Sequence, residues 1–252
     1  MRIDHPSPRH IQQLRSLWQG AFGDTDAFLD IFFRTAYSPD RCRCILMEDR
    51  VAAVLYWIDC ALEEQKLAYI YAVVTHPDHR NKGLCRALLE DTHDLLAARG
   101  YAGAVLVPQQ ESLRKMYAAM GYRDAGGLSD FSCTVGDAAA EARAVGPAEF
   151  AALRRKFLPP LSVFQEGAGL AFLAEQLQFY TGPDFLLAAY SENGILHGTE
   201  LLGNGNAAPG IIKALGLSRG TFRTPGREKK FAMFHPLVSD TKTPAYFGFA
   251  FD

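Results

Sequence analysis

Apolar positions at three- and four-residue steps open the chain, and runs with strand spacing follow. Ile11, Leu14, Trp18 and Phe22 share a helical stripe. Ser7-Pro8 supplies its cap and first-turn proline, and Gly23 its stop. A second helix is predicted from Asp26 to Tyr37, carrying Phe28, Ile31 and Phe32. Cys42 to Met47 and Val51 to Cys60 read as a hairpin around Glu48-Asp49-Arg50, and Leu67 to Val74 as a third strand rich in β-branched and aromatic residues. Leu84, Ala87, Leu88, Leu95 and Leu96 then mark a helix closed by Gly100. Tyr101 to Val107 is a strand broken by Pro108, Glu111 to Met120 a helix ended by Gly121, and Leu128 to Val135 a strand.

Gly136 to Glu141 is a small, polar-rich bridge, and the pattern restarts beyond it. Helices are predicted at Pro147 to Leu158, Leu170 to Tyr180 and Ala207 to Leu215. Phe185 to Tyr190 and Ile195 to Leu202 form a hairpin about Asn193-Gly194, a strong two-residue turn signal. Lys230 to Leu237 and Ala245 to Phe251 read as closing strands. Ala27-Phe28-Leu29 and Ala171-Phe172-Leu173 each open the second helix of their half, which points to a duplicated topology. The expected units are residues 1–136 and 142–252.

The 252 residues carry 26 basic and 28 acidic side chains, a net charge of −2. That balance excludes a global basic field for nucleic acid or anionic lipid. Chain length gives a folded surface of about 11,000 Å², enough burial for a full core. No apolar run reaches the roughly 18 to 20 residues that span a bilayer. The opening MRIDHPSPRH lacks the apolar stretch of a secretory leader, so a cytoplasmic location is expected. The five cysteines, Cys42, Cys44, Cys60, Cys85 and Cys133, are odd in number and include no Cys-x-x-Cys, which reads as buried thiols rather than a metal or disulfide framework.

The chemistry concentrates in Tyr71 to Arg86, YAVVTHPDHRNKGLCR, where a strand breaks at Pro77, a basic loop follows and a helix begins. A helix start leaves about four N–H groups without partners and favours an anion. Gly83 lets backbone approach a ligand closely, and Arg80, Lys82 and Arg86 add positive charge. These donors outnumber what one carboxylate accepts, which suits a diphosphate. Gly-x-x-x-x-Gly-Lys-Ser/Thr and Gly-x-Gly-x-x-Gly are both absent, against a nucleotide P-loop or a dinucleotide fold.

Thr75-x-Pro77-x-x-Arg80-x-x-Gly83-x-Cys85 resembles the acetyl-CoA motif of the GNAT superfamily, V-x-P-x-x-R/Q-x-x-G-x-G/A, with Thr75 in place of valine and Cys85 in place of the last small residue. Ser112 to Tyr122, SLRKMYAAMGY, resembles that superfamily's second motif. The likeness covers about residues 1–136, and the tandem branch that resembles enhanced-intracellular-survival acetyltransferases adds a second, degenerate unit. It implies an α/β (α+β) fold: a mixed central sheet flanked by helices, then a smaller degenerate half. It implies that Val73, Val74 and Thr75 pair with the pantetheine arm and that Asn81, Lys82, Gly83, Leu84, Cys85 and Arg86 cradle the diphosphate, with Arg80 beside them. A backbone N–H near Val73 would face the thioester oxygen.

The implied activity is acetyl transfer from acetyl-CoA, without a metal, to a primary amine of a small molecule or peptide by direct attack. Tyr117 is the candidate general acid, although Leu113, Met116, Tyr117 and Met120 share one helical face and also fit a core role. Glu63, Glu64, Tyr69, Tyr71, His76, Asp78 and His79 are candidate proton relays. Cys85 is not expected to be a nucleophile. The alternatives are a non-catalytic acyl-CoA sensor and an aminoacyl or longer-acyl transferase of tandem type. Gly203-Asn204-Gly205-Asn206 echoes the cofactor loop without its Arg and Pro, so no second coenzyme site is expected. Phe231, Phe234, Tyr246, Phe247, Phe249 and Phe251 are core residues or the wall of an acceptor pocket between the halves.

Overall fold

Local signals set the helix ends. In the computed structural model, which describes residues 1–250, the Thr25 hydroxyl accepts the Phe28 N–H at 3.2 Å to cap a helix over Asp26–Thr35, and Gly23 at φ +76° closes the one before it. The first half runs β1 (Arg2–Asp4), α1 (Ile11–Phe22), α2 (Asp26–Thr35), β2 (Cys42–Met47), β3 (Arg50–Leu62), β4 (Gln65–Thr75), α3 (Leu84–Ala98), β5 (Gly103–Leu106), α4 (Glu111–Ala118) and β6 (Arg123–Thr134). The second runs β7 (Arg143–Val145), α5 (Pro147–Phe157), β8 (Val163–Phe164), α6 (Gly167–Ala174), β9 (Gln178–Thr181), β10 (Phe185–Glu192), β11 (Ile195–Gly203), α7 (Ala208–Ala214), β12 (Arg219–Pro225) and β13 (Lys229–Pro236).

One sheet joins them, in the order β1-β2-β3-β4-β5-β13-β6-β12-β11-β10-β9-β7, with β8 added against β3. Every contact is antiparallel except β4–β5 and β11–β12. Read from either end, the series of directions is the same, so the duplicated topology expected from the sequence is present. Each half has exchanged its last strand: β13 lies on β5, and β6 lies on β12. The sheet is therefore continuous across the bridge at 136–141. α4 has no counterpart, because β12 leads to β13 through a short turn.

The strand β3 shows why the first half needs helices on both faces. Tyr56, Ile58, Cys60 and Leu62 enter a core with α1 and α2, while Leu55 and Trp57 enter another with α3. A strand covered on both sides is an apolar run rather than an alternation. The second half has two cores of its own, around Phe150 and Leu186 and around Phe185 and Ile211. The folded surface is 11,876 Å², close to that expected from length. Among the described residues no helix is long and apolar enough to cross a membrane.

Two predicted elements differ. The helix expected over Leu170 to Tyr180 ends at Ala174, because Gln178–Thr181 pairs with β10 on one side and β7 on the other. The strand expected from Ala245 to Phe251 is reduced to one bridge between Ser162 and Tyr246, beyond which its aromatic side chains make the contacts; Phe251 lies outside the described residues. β1, β7, β8 and β12 lie outside the predicted elements, for they are short or mostly polar (RID, RAV, VF, RGTFRTP) and are defined by their partners. Asn193 and Gly194, at φ +50° and +75°, form the expected turn.

Strand exchange predicts shared stability. Phe234 on β13 is fully buried in the first-half core, so Phe234→Ala is expected to cost about 3–5 kcal/mol. Urea unfolding followed by fluorescence of Trp18 and Trp57, both in the first half, and by far-UV circular dichroism should shift together in one transition.

Candidate active site

β4 and β5 are parallel neighbours only from Leu67 to Tyr69, opposite Gly103 to Val105. β4 continues to Thr75 while β5 ends at Leu106, ahead of Pro108. A bulge helps the strands part. Tyr71 to Val74 on β4 spans one more residue than the Tyr56 to Val54 stretch it faces, and Ala72 sits at φ +48°. The far part of β4 therefore has no partner on its β5 side, and a slot opens between the strand ends.

The loop after β4 shapes the mouth of this slot. Pro77–His79 makes a single 3-10 turn, and the His76 ring Nδ1 accepts the Asp78 N–H at 3.3 Å. Arg80 Nε donates to the Thr75 carbonyl at 3.2 Å, folding the loop back on its strand. Asn81 at φ +60° and Gly83 at φ +76° then turn the chain into α3. The first intrahelical bond runs from Ala87 N–H to Gly83 at 3.1 Å. The N–H groups of Leu84, Cys85 and Arg86 thus precede the helical ladder, and no side chain caps them. The volume a Cβ would take at Gly83 is open.

Val73, Val74, Thr75, Arg80, Asn81, Gly83, Leu84, Cys85 and Arg86 line one continuous cavity with Tyr117. Lys82 does not line it; its ammonium donates to the Asp78 carbonyl at 2.7 Å. Among the described residues no acidic side chain lines the cavity, so it is locally positive in a chain of net charge −2. This donor set fits a diphosphate. Burial pushes the Cys85 thiol up to about 11 against the pull of Arg86, so Cys85 is a protonated thiol near neutrality.

Tyr117 lies on α4, buried, at the junction between this cavity and a second cleft. Burial raises its phenol above the ordinary value, and the nearby Cys85 adds to the rise. The helix is fixed by Arg114, one turn before Tyr117, which bonds Asp124 on β6 at 2.6 Å and the Phe231 carbonyl on β13 at 3.0 Å. Behind Tyr117 stands Tyr122, ring to ring at 5.6 Å, with its hydroxyl 2.8 Å from His93 Nε2. The His93 ring stacks on His235 of β13 at 4.4 Å. Burial, with His235 alongside, pushes His93 down to about 3.

The second cleft is lined by Trp18, Phe22, Phe28, Tyr69 and Tyr71, with Asp24, Gln109 and Gln176 as polar groups. Asp24 accepts the Trp18 indole N–H at 2.7 Å. Sequence reasoning found only the two tyrosines here. Asp24 follows a helix-stop glycine and Gln176 comes from the other half, and neither carries a local motif. Glu63 and Glu64 lie at the opposite end of β4 from Thr75, roughly ten residues or about 30 Å along a strand, and Glu63 pairs with Lys242 at 3.0 Å. Their distance removes them as relays. His79 reaches the first cavity, whereas His76 lies beside α1 and Asp78 is exposed.

In the second half β11 and β12 pair from Ile195 to Gly198, opposite Arg219 to Phe222, and the Phe222 ring packs over Gly198 and stacks on Phe131 at 5.4 Å. Gly203 to Asn206 makes only a short turn, in which the Asn204 side chain accepts the Asn206 N–H at 3.0 Å. Phe247 packs edge-on to Tyr69 at 4.9 Å. Among the described residues no group of three His, Cys, Asp or Glu side chains is placed to hold a metal ion.

Residues 2–125 match the family profile described as acetyltransferase (GNAT) domain. The fold is similar to a GCN5-related N-acetyltransferase from Anabaena variabilis, with TM-score 0.74 and 17% identity over 94% of this chain and 73% of that one. It is also similar to Eis1 from Mycobacterium abscessus, with TM-score 0.68 and 12% identity over 94% and 74%. A tandem GNAT protein from the clavulanic acid biosynthesis pathway gives TM-score 0.57 and 11% identity over 95% and 99%. No curated protein sequence matches significantly.

The buried His93 predicts a pH effect of definite sign. Its folded value lies below the ordinary 6.5, so the unfolded chain binds the extra proton and stability is lost as pH falls below about 6.5 toward 3. From pH 7 to pH 5 this group alone is expected to remove roughly 2 kcal/mol. Urea midpoints at the two pH values should differ less in His93→Gln than in the wild type.

Proposed function

We propose that this chain, whose residues 2–125 belong to the GNAT acetyltransferase family, is an acetyl-CoA-dependent N-acetyltransferase acting on a primary amine by direct attack. The observation that carries the reading is the uncapped start of α3 beside the part of β4 that lacks a partner on its β5 side. The N–H groups of Leu84, Cys85 and Arg86 would hold the diphosphate, with Asn81, Gly83 and the Arg80 guanidinium at the same wall. Lys82 reaches the phosphates only by leaving the Asp78 carbonyl. Val73, Val74 and Thr75 offer backbone groups to the amides of the pantetheine arm. Acetyl-CoA supplies an activated acyl group at the inner end of the slot.

The remaining steps belong to the chain's own residues. The aromatic-lined cleft admits an amine toward the Tyr117 end of the slot, and the Asp24 carboxylate favours a cationic group at its mouth. The N–H near Val73 stabilises charge that develops on the carbonyl oxygen. Tyr117 lies between the two cavities, and its phenol, kept protonated by burial, donates to the departing thiolate. The amine attacks in its neutral form, and the proton it then loses passes to solvent through water beside Tyr69 and Tyr71. We assign the chemistry to residues 1–136, and to 142–252 the roles of completing the sheet and walling the amine side.

Titration calorimetry with acetyl-CoA tests the cofactor site. The wild type is expected to bind in the micromolar range, and Gly83→Glu to give no heat, because it places a negative side chain at a φ of +76° in the phosphate cradle. Equal heats from both proteins overturn the assignment.

Thiol release with a panel of arylalkylamines, polyamines and peptide amines tests the transfer. Tyr117→Phe is expected to lower kcat by about 10²-fold while acetyl-CoA binding is kept. Tight binding without turnover of any amine would favour the sensor reading instead.

A further inference from the structure

The segment after β13 crosses the seam between the halves, and two adjacent residues on it seat in different cores. Tyr246 enters the second-half core with Phe150 and Leu186, and Phe247 enters the first-half core with Tyr56 and Tyr69. The backbone is held extended there. Ala245 N–H donates to the Leu161 carbonyl and Val163 N–H to the Tyr246 carbonyl, both at 2.8 Å. Neighbouring side chains on extended backbone point to opposite sides, so fixing one fixes the other. Gly126 on β6, at φ +70°, makes room for this crossing: a Cβ there would lie 3.0 Å from the Phe247 nitrogen and 3.2 Å from the Tyr246 Cα.

What fixes Tyr246 is a fully buried ion pair. Arg154 on α5 grips Glu200 on β11 through two bonds, Nε to Oε2 at 2.6 Å and Nη2 to Oε1 at 2.8 Å. Both side chains are at most 1% exposed. The Tyr246 hydroxyl donates to the same Glu200 Oε1 at 2.9 Å, and the guanidinium lies 5.0 Å from the Phe249 ring centre. Burying such a pair carries a desolvation cost that an apolar trio would avoid. What it provides in exchange is direction, since a carboxylate clamped by Arg154 accepts the Tyr246 hydroxyl at one place only.

We propose that Tyr246, clamped by Arg154 and Glu200, is a positioning residue for the amine side of the cleft: it sets Phe247 against Tyr69, whose ring lines that cleft beside Tyr71. The second half thereby controls which amines fit without touching the cofactor slot. This rests on the N-acetyltransferase reading above. A loosened Tyr246 lets Phe247 and Tyr69 shift, which alters amine binding and leaves the α3 cradle as it is.

The test is steady-state kinetics of the full chain with phenethylamine, spermidine and a peptide amine as probes, in wild type, Tyr246→Phe and Phe247→Leu. Tyr246→Phe keeps the ring and removes only the bond to Glu200. Phe247→Leu leaves the buried pair and Tyr246 intact, so it reports even where the first variant folds poorly. Both are expected to raise KM for the accepted amine about tenfold or to reorder the three probes, with KM for acetyl-CoA and its calorimetric affinity within twofold of wild type. Wild-type amine KM and probe order in both variants, or equal changes in amine and acetyl-CoA KM, overturn the positioning role and leave the transferase reading standing. A wild type that binds no acetyl-CoA, or releases thiol with none of the probes, overturns both.

Discussion

The antiparallel pair of β6 and β13 is the constraint on which the rest of the molecule hangs. Each strand ends one half of the chain and pairs with the next-to-last strand of the other. β5 is only four residues long, and without β13 it would be a sheet edge with unpaired backbone groups at the slot. Held by β4 on one side and β13 on the other, it keeps its place while β4 diverges from it. The first half carries the motif, but the second half supplies the strand that keeps the slot open.

Divergence converts a sheet into a binding site with little help from side chains. Past Tyr69 the β4 backbone has lost its β5 neighbour, and the bulge at Ala72 turns it further. At the end of the same strand the chain enters α3 with its first N–H groups uncapped. Both halves of the proposed cofactor contact are therefore main-chain donors and acceptors made available by topology. The net charge of the protein is nearly balanced, yet the cavity has basic residues and no acidic ones among the described residues lining it. Local composition, not overall charge, decides what it attracts.

This explains which parts could be read from the chain alone. Helix α3 begins at Leu84 as its apolar stripe and Gly83 indicate, and the loop before it was legible because helix starts, Pro77 and Gly83 leave local signatures. The cleft beyond Tyr117 was not legible, since Trp18, Asp24 and Gln176 meet only after α1 and the second half pack on the sheet. Glu63 and Glu64 misled for the converse reason. They stand near β4 in sequence, but a strand of eleven residues puts its two ends on opposite sides of the domain. The exchange of β6 and β13 has no local signal either. Lys230 to Leu237 reads as a strand whichever neighbour it takes, and the choice is made by cores that assemble from distant residues.

The second half repeats the sheet of the first without the helix that carries Tyr117. A short turn joins β12 to β13 where the first half has α4, so there is no equivalent of Tyr117, and at the end of the β11–β12 pairing Phe222 packs over Gly198 and on Phe131. Its α6 instead packs against α2, with the Phe172 ring 5.4 Å from both Phe28 and Phe32. Phe28 lines the aromatic cleft, and Gln176 just beyond α6 lines it too. In a duplicated fold one copy can lose a slot that the other keeps, and the helices of the first are then available to wall the open side of the second. In the proposed function, one half of the palindromic sheet presents main-chain donors to the cofactor and the other presents side chains to the amine.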